Sequence, residues 1–111
     1  YWLAHVPGGC VPAWDLGVES DLAPRDSSAA AIVADGLQAL GRLDPDPARA
    51  ARYLVAGQAT AAALAGQAWV PAGAGIRGVL QRQAYNIPAD RREGTYSWGD
   101  FYLLQSLSGS G

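Results

Sequence analysis

The sequence predicts an all-α fold with long loops entering its helices and one short strand. Three observations carry that expectation. Apolar residues recur near helical spacing in three segments. Each segment opens on residues able to cap a helix. The stretches between the segments are broken by Pro and Gly.

Taken in order, Tyr1 to His5 reads as the end of a helix. Val6-Pro7-Gly8-Gly9 and Val11-Pro12 then stop it, because Pro lacks an N–H and Gly is costly to order. Trp14-Asp15-Leu16 sits in an irregular stretch, and Glu19 to Arg25 reads as a surface loop. The first clear helix starts near Asp26, where Asp26, Ser27 and Ser28 can accept orphan backbone N–H bonds. Ala29-Ala30-Ala31 follows, and Ile32, Val33, Leu37 and Leu40 form its expected apolar face. Gly41 is a weak point near its end, and Leu43 to Asp46 is a short link.

Asp46 caps the second helix and Pro47 fits its first position, where the missing N–H costs nothing. Arg49, Arg52 and Gln58 mark its wet side. Tyr53, Leu54, Ala61 and Leu64 mark its apolar side, and Gly66 is its expected stop. Two helices joined so closely should pack as an antiparallel hairpin. Gln67 to Gly78 reads as loop. Val79 to Tyr85 alternates weakly and gives the short strand. Asn86 to Gly94 reads as a polar loop. Ser97 and Asp100 have the spacing of a capping box at the head of a last helix carried by Phe101, Leu103, Leu104 and Leu107. Ser108 to Gly111 reads as a tail.

A length of 111 residues suits one domain. With 50% hydrophobic and 16% charged residues, intrinsic disorder is excluded. The net charge is −2, and the eight basic residues are all Arg. No basic surplus is present to neutralise phosphates, so nucleic acid is not an expected partner. No apolar run reaches the roughly 18 residues a membrane span needs. Cys10 is alone, and His5 and Cys10 have no partners at ligand or nucleophile spacing. The chain starts Tyr1-Trp2-Leu3 and contains no Met, which reads as a piece of something longer.

Val11-Pro12-Ala13-Trp14-Asp15-Leu16, then Ala23-Pro24-Arg25-Asp26-Ser27-Ser28-Ala29-Ala30-Ala31-Ile32, and finally Ser97-Trp98-Gly99-Asp100-Phe101-Tyr102-Leu103-Leu104 form a familiar order. It resembles the C-terminal part of the unsaturated glucuronyl hydrolases, glycoside hydrolase family 88. The unsaturated rhamnogalacturonyl hydrolases of family 105 share several of these patterns. The resemblance implies a partial (α/α)6 barrel, about three of its twelve helices, with residues 1–111 as the C-terminal part of the catalytic domain. It implies hydration of the C4=C5 bond of an unsaturated uronic acid at the non-reducing end of an oligosaccharide, without metal or organic cofactor. The implied partners are that oligosaccharide and the remainder of the barrel, with neither nucleic acid nor membrane. Bacterial cytoplasm is the implied compartment. In the family the catalytic aspartates lie upstream of the matched segment, so no aspartate here is assigned to catalysis and the piece alone is expected to be inactive.

Five residues are candidates for substrate binding. Trp14 offers a stacking face for a sugar ring and Asp15 a hydroxyl acceptor. The competing reading is a Trp packed under its loop and an Asp serving as a turn residue. Arg25 can pair with a substrate carboxylate, or tie its loop to Glu19 or Asp21. Arg91, with Arg92, lies in the loop that contacts the second sugar in the family. Some members carry a Ser-rich motif with a Lys there, and its absence from Tyr85 to Arg92 argues against sulfated substrates. Trp98 can touch substrate or pack in the core, and Asp100 is read as a cap. The alternatives are the family 105 substrate and a non-catalytic helical binding or vestigial module.

Overall fold

The computed structural model describes residues 1–6, 11–17, 23–75, 78–84 and 94–109. Among them are four helices: α1 (Trp2–His5), α2 (Ser27–Leu43), α3 (Pro47–Gln67) and α4 (Ser97–Ser108). The all-α expectation therefore holds. The short strand does not form. Residues 79–84 make only isolated antiparallel bridges, Leu80 with Trp69 and Gln83 with Gly94. Leu80 and Gln83, three residues apart, are the buried residues of residues 79–84, so the weak alternation corresponds to no ladder. Cys10, and the loop residues 85–93 that include Arg91 and Arg92, lie outside the described residues.

Helix α2 is the centre of the fold. Its N-cap Asp26 accepts from Ser28 N and Ala29 N, as the sequence predicts. Its buried stripe consists of Ser27, Ala30, Ala31, Ala34, Leu37, Gln38 and Gly41 among others. Ile32 and Leu40, placed by the sequence on the apolar face, are exposed instead. The reason is angular: at 3.6 residues per turn Ala34 and Gly41 share a line, and Ile32 and Leu40 fall on the opposite side. The small residues win the core because they let α3 approach closely.

The cap of α3 also follows expectation, with Asp46 accepting from Arg49 N and Pro47 at the first turn. The helix runs through Gly66 to Gln67, because nothing at Gly66 forces the chain to turn. Helices α2 and α3 pack antiparallel, with Gly57 against Ala34 and Gln38, and Gly41 against Ala50 and Leu54. Helix α4 lies parallel to α2. Gln38 Nε2 donates to Ser106 O at 3.1 Å, and Gln105 Nε2 donates to Asp35 Oδ2 at 2.9 Å. The shared core comprises Val11, Ala30, Ala31, Ala34, Ala61, Leu64, Ala68, Leu80 and Leu103.

Helix α4 departs from its expected cap. Tyr96 is the N-cap residue, and no side chain caps the helix. Ser97 is already helical, so a hydroxyl-to-N3 bond cannot close there, and Asp100 is used elsewhere. The helix ends at Gly109, whose φ of 69° is the left-handed conformation that stops a helix.

Two predictions follow from local geometry. Gly36 is helical and exposed, and nothing lies within 4 Å of a Cβ added there. Gly36→Ala should raise stability by about 0.5–1 kcal/mol through reduced backbone entropy in the unfolded chain. A shift of the urea midpoint reads this directly. In the α2–α3 link, Arg49 forms a two-pronged ion pair with Asp44. The Arg49 hydrogen bond, and next the Asp46 N–H, hold the Asp44 carboxyl below the usual carboxylate range. A depressed folded pKa means this stabilisation is present above the unfolded value of about 3.9. It fades as pH falls through the lowered folded value. An NMR titration of Asp44 should show a midpoint below 3.9 that returns toward about 3.9 in Arg49→Gln.

Candidate functional site

Two of the sequence segments that carry the resemblance, Ala23 to Ile32 and Ser97 to Leu104, come together. They meet over the loop of residues 78–84. Ser27 N donates to Arg82 O at 2.8 Å, and Ser27 Oγ donates to Gln81 O at 2.7 Å. Ala84 N donates to Asp26 Oδ1 at 3.2 Å, so the cap residue of α2 also holds the loop. From the other side, the Asp100 carboxylate accepts Val79 N at 3.0 Å and Leu80 N at 2.7 Å. These two N–H groups would otherwise be unpaired beside a buried Leu80, which explains why an acid occupies this position.

Between the two aspartates lies Gln83, with no exposed surface. Its Nε2 donates to Leu80 O and Tyr96 O, each at 2.9 Å. Its Oε1 accepts Gly99 N at 3.2 Å. A Cβ at position 99 would collide with that amide and meet Ser28 Cβ at 3.0 Å, so Gly99 is needed for α4 to reach both α2 and the loop. Sequence reasoning missed Gln83 because a buried Gln carries no pattern of its own. The signal that could have found it is the pair of loop-entering aspartates, which require a polar loop to bind.

The candidate residues sit around this knot. Ala13 forms an antiparallel bridge with Arg25, and Trp14 N donates to Pro24 O at 2.9 Å. Trp14 and Arg25 are thereby brought to adjacent strands of one loop. Trp14 is partly open to solvent at 37% exposure. Asp15 is exposed, and its Oδ1 accepts Gly17 N at 2.8 Å, a turn contact. Arg25 is half-buried and lines an open cleft with Val11, Gln67 and Arg82. Trp98 is 38% exposed and stacks on Tyr96 with ring centroids 4.5 Å apart. It follows Ser97 at the head of α4, one residue before the Gly99 contact. The structure thus brings Trp14 and Arg25 together at the Ala13–Arg25 bridge, with Asp15 next in the chain, and places Trp98 on α4 beside Tyr96. His5 stacks on Tyr1 with ring centroids 4.0 Å apart, and its Nδ1 lies 2.7 Å from Tyr1 O.

Asp26 and Asp100 are each occupied by backbone N–H donors. No group of three or more His, Cys, Asp or Glu residues suited to a metal ion occurs among the described residues. Nor is any helix among them long and apolar enough to cross a membrane.

No family model matches the chain, and no curated protein does. Solved structures do match. The unsaturated glucuronyl hydrolase from Bacillus sp. GL1, described as responsible for the degradation of glycosaminoglycan, is 32% identical with a TM-score of 0.86. The match covers 96% of this chain and 29% of that one. The unsaturated glucuronyl hydrolase from Streptococcus agalactiae is 28% identical with a TM-score of 0.82, over 96% of this chain and 28% of its own. An unsaturated glucuronyl hydrolase specific for heparin shares the fold at 24% identity and a TM-score of 0.82, covering 93% and 28%. The chain spans under a third of the length of each of these enzymes. In fold, and in identity along it, the chain is similar to one part of the unsaturated glucuronyl hydrolases, and its helices form part of an (α/α)6 barrel.

Proposed function

We propose that the chain is part of a glycoside hydrolase that releases an unsaturated uronic acid from the non-reducing end of oligosaccharides. The observation that carries this reading is the match to unsaturated glucuronyl hydrolases along nearly the whole chain. In the proposed reaction an aspartate delivers a proton to C4 of the C4=C5 bond. Water adds its oxygen to C5, and the hydrated sugar rearranges and releases the glycosidic linkage. This differs from ordinary glycosidases, in which the acid protonates the leaving oxygen. The acid is assigned to none of this chain's aspartates.

The chain's part is binding. Trp14 and Trp98 offer ring faces for the apolar side of a pyranose, Asp15 accepts a hydroxyl, and Arg25 and Arg91 are the residue types that would pair with acidic groups of the oligosaccharide. The exposed Phe101, Leu104 and Leu107 of α4 are the surface on which the remainder of the barrel packs. No metal or organic cofactor enters the scheme, and the enzyme works in the bacterial cytoplasm on imported sugars.

The test is turnover of an unsaturated uronyl disaccharide, followed by loss of the ultraviolet absorbance of its conjugated double bond. A polypeptide carrying this chain within a whole barrel should consume it, and the isolated chain should not. A whole barrel that leaves the disaccharide intact overturns the reading in favour of a non-catalytic module.

A further inference from the structure

We infer that Asp35 is the acceptor for a basic side chain carried by a helix of the barrel outside this chain, and that the seam between α2 and α4 is the face on which that helix docks. The occupant rests on the larger barrel proposed above and not on its reaction. The first observation is an orphaned oxygen. Asp35 is 8% exposed, and among the described residues its Oδ1 is the buried side-chain polar atom with no hydrogen-bond partner. Its other oxygen accepts Gln105 Nε2 at 2.9 Å, which places the carboxylate where α2 meets α4. Buried polar atoms are ordinarily paired, because a group that has lost its water needs a replacement donor. An unpaired carboxylate oxygen therefore marks a place where a donor is missing.

The surface around Asp35 is the second, independent observation. Helix α4 lacks the charged outer face of a surface helix. Ser97 to Ser108 contain one charged residue, Asp100, and its carboxylate is turned to Val79 N and Leu80 N. On the open side Phe101 and Leu104 are 58% and 48% exposed, and they line a groove with Gln105 and Ser108. A helix without a polar face belongs to the interior of a larger protein. Helical spacing carries the same face onto α2. Ile32 lies three residues before Asp35 and is 43% exposed, and Gly36 and Leu40 continue its line in the open. Phe101 lies four residues before Gln105 on the matching side of α4. The seam thus joins apolar surface to one buried carboxylate. Its complement is an apolar helix face bearing one basic group, because charge-assisted bonds are the strong ones and such a pair neutralises both charges. This chain covers under a third of the matched enzymes, so the remaining helices of such a barrel are the occupants at hand. A buried ion pair in an apolar seam then fixes which helix lies there and in what register.

The experiment compares Asp35→Leu and Asp35→Asn in two settings, the 111-residue chain alone and the polypeptide that carries it within a whole barrel. In the chain alone, Asp35→Leu removes an unpaired oxygen, so the urea midpoint should stay level or rise. In the barrel the same change strands the basic partner, and the midpoint should fall by about 1 M or more. Asp35→Asn keeps an acceptor and should fall by less, so it gives the reading even where the Leu variant does not fold. Barrel midpoints that match the natural residue in both variants overturn the assignment, as does an equal fall in the chain alone. The face is read with the dye anilinonaphthalene sulfonate, which binds exposed apolar surface. The chain alone should bind it, Phe101→Ser should weaken that binding, and the whole barrel should bind little. A chain that sediments as a stable dimer and excludes the dye gives the face to a second copy and overturns this occupant. These readouts are stability, dye binding and mass. A stable barrel that leaves the disaccharide intact therefore overturns the proposed reaction while the Asp35 result stands, and the converse also holds.

Discussion

Asp100→Ala should lower stability by about 3 kcal/mol, because it strips acceptors from two backbone N–H groups at once. Val79 N and Leu80 N both point at this carboxylate, and Leu80 has no exposed surface. An N–H left unpaired beside a buried side chain costs about 1–3 kcal/mol, and water has little access to make up the loss. Gln83 Nε2, which lies 3.4 Å from Asp100 Oδ1, would be weakened as well. Asp100→Asn should cost about 2 kcal/mol, since one oxygen still accepts while the new amide turns a donor toward a donor. The order Ala below Asn below the natural residue, read from urea midpoints at constant slope, tests the pinning role. A loss under about 1 kcal/mol for Asp100→Ala would show that the loop is held by other contacts.

That prediction also marks where sequence reading stopped. The two caps at Asp26 and Asp46 were legible because a cap is local: the acceptor and its N–H groups lie within three residues. Asp100 has the same residue type and a similar spacing after Ser97, yet its partners are 20 and 21 residues earlier in the chain. Spacing cannot separate an acid that caps its own helix from one that reaches back to a loop. The same limit applies to Val79 to Tyr85, read as a strand, where the buried residues are Leu80 and Gln83, three apart in a loop. Ile32 and Leu40 were misplaced for a different reason. Hydrophobicity ranks Ile and Leu above Ala, whereas packing between α2 and α3 is decided by how closely two backbones can approach. Of the candidate site, Val11 to Leu16, Ala23 to Ile32 and Ser97 to Leu104 were found by resemblance, and the structure brings Asp26, Ser27 and Asp100 of these segments to the loop of residues 78–84.

The approach of α2 to α3 gives the second large effect. Gly57→Ala should lower stability by about 1–3 kcal/mol, net of the helix propensity gained. A Cβ at Gly57 would meet the Ala34 carbonyl oxygen at 2.8 Å and Gln38 Cγ at 2.8 Å. Neither neighbour yields easily. The carbonyl belongs to the backbone of α2, and the Gln38 amide is committed to Ser106 O on α4. Relief of the overlap therefore requires α2 and α3 to separate, or the α2–α4 contact to break. Gly41→Ala should cost less. Its nearest neighbour is the Leu54 side chain, which can rotate, although the Ala50 carbonyl lies 2.9 Å away. Gly36→Ala runs the other way, since its Cβ enters open space. The three variants share one helix-propensity gain of up to about 1 kcal/mol, so differences among their urea midpoints isolate the packing cost. Equal shifts in all three would mean that α2 and α3 do not approach as closely as these glycines require. A graded series, with Gly57 worst and Gly36 improved, makes the glycines the residues that set the spacing of the hairpin and hence the position of Ser27, Asp26 and the loop they hold.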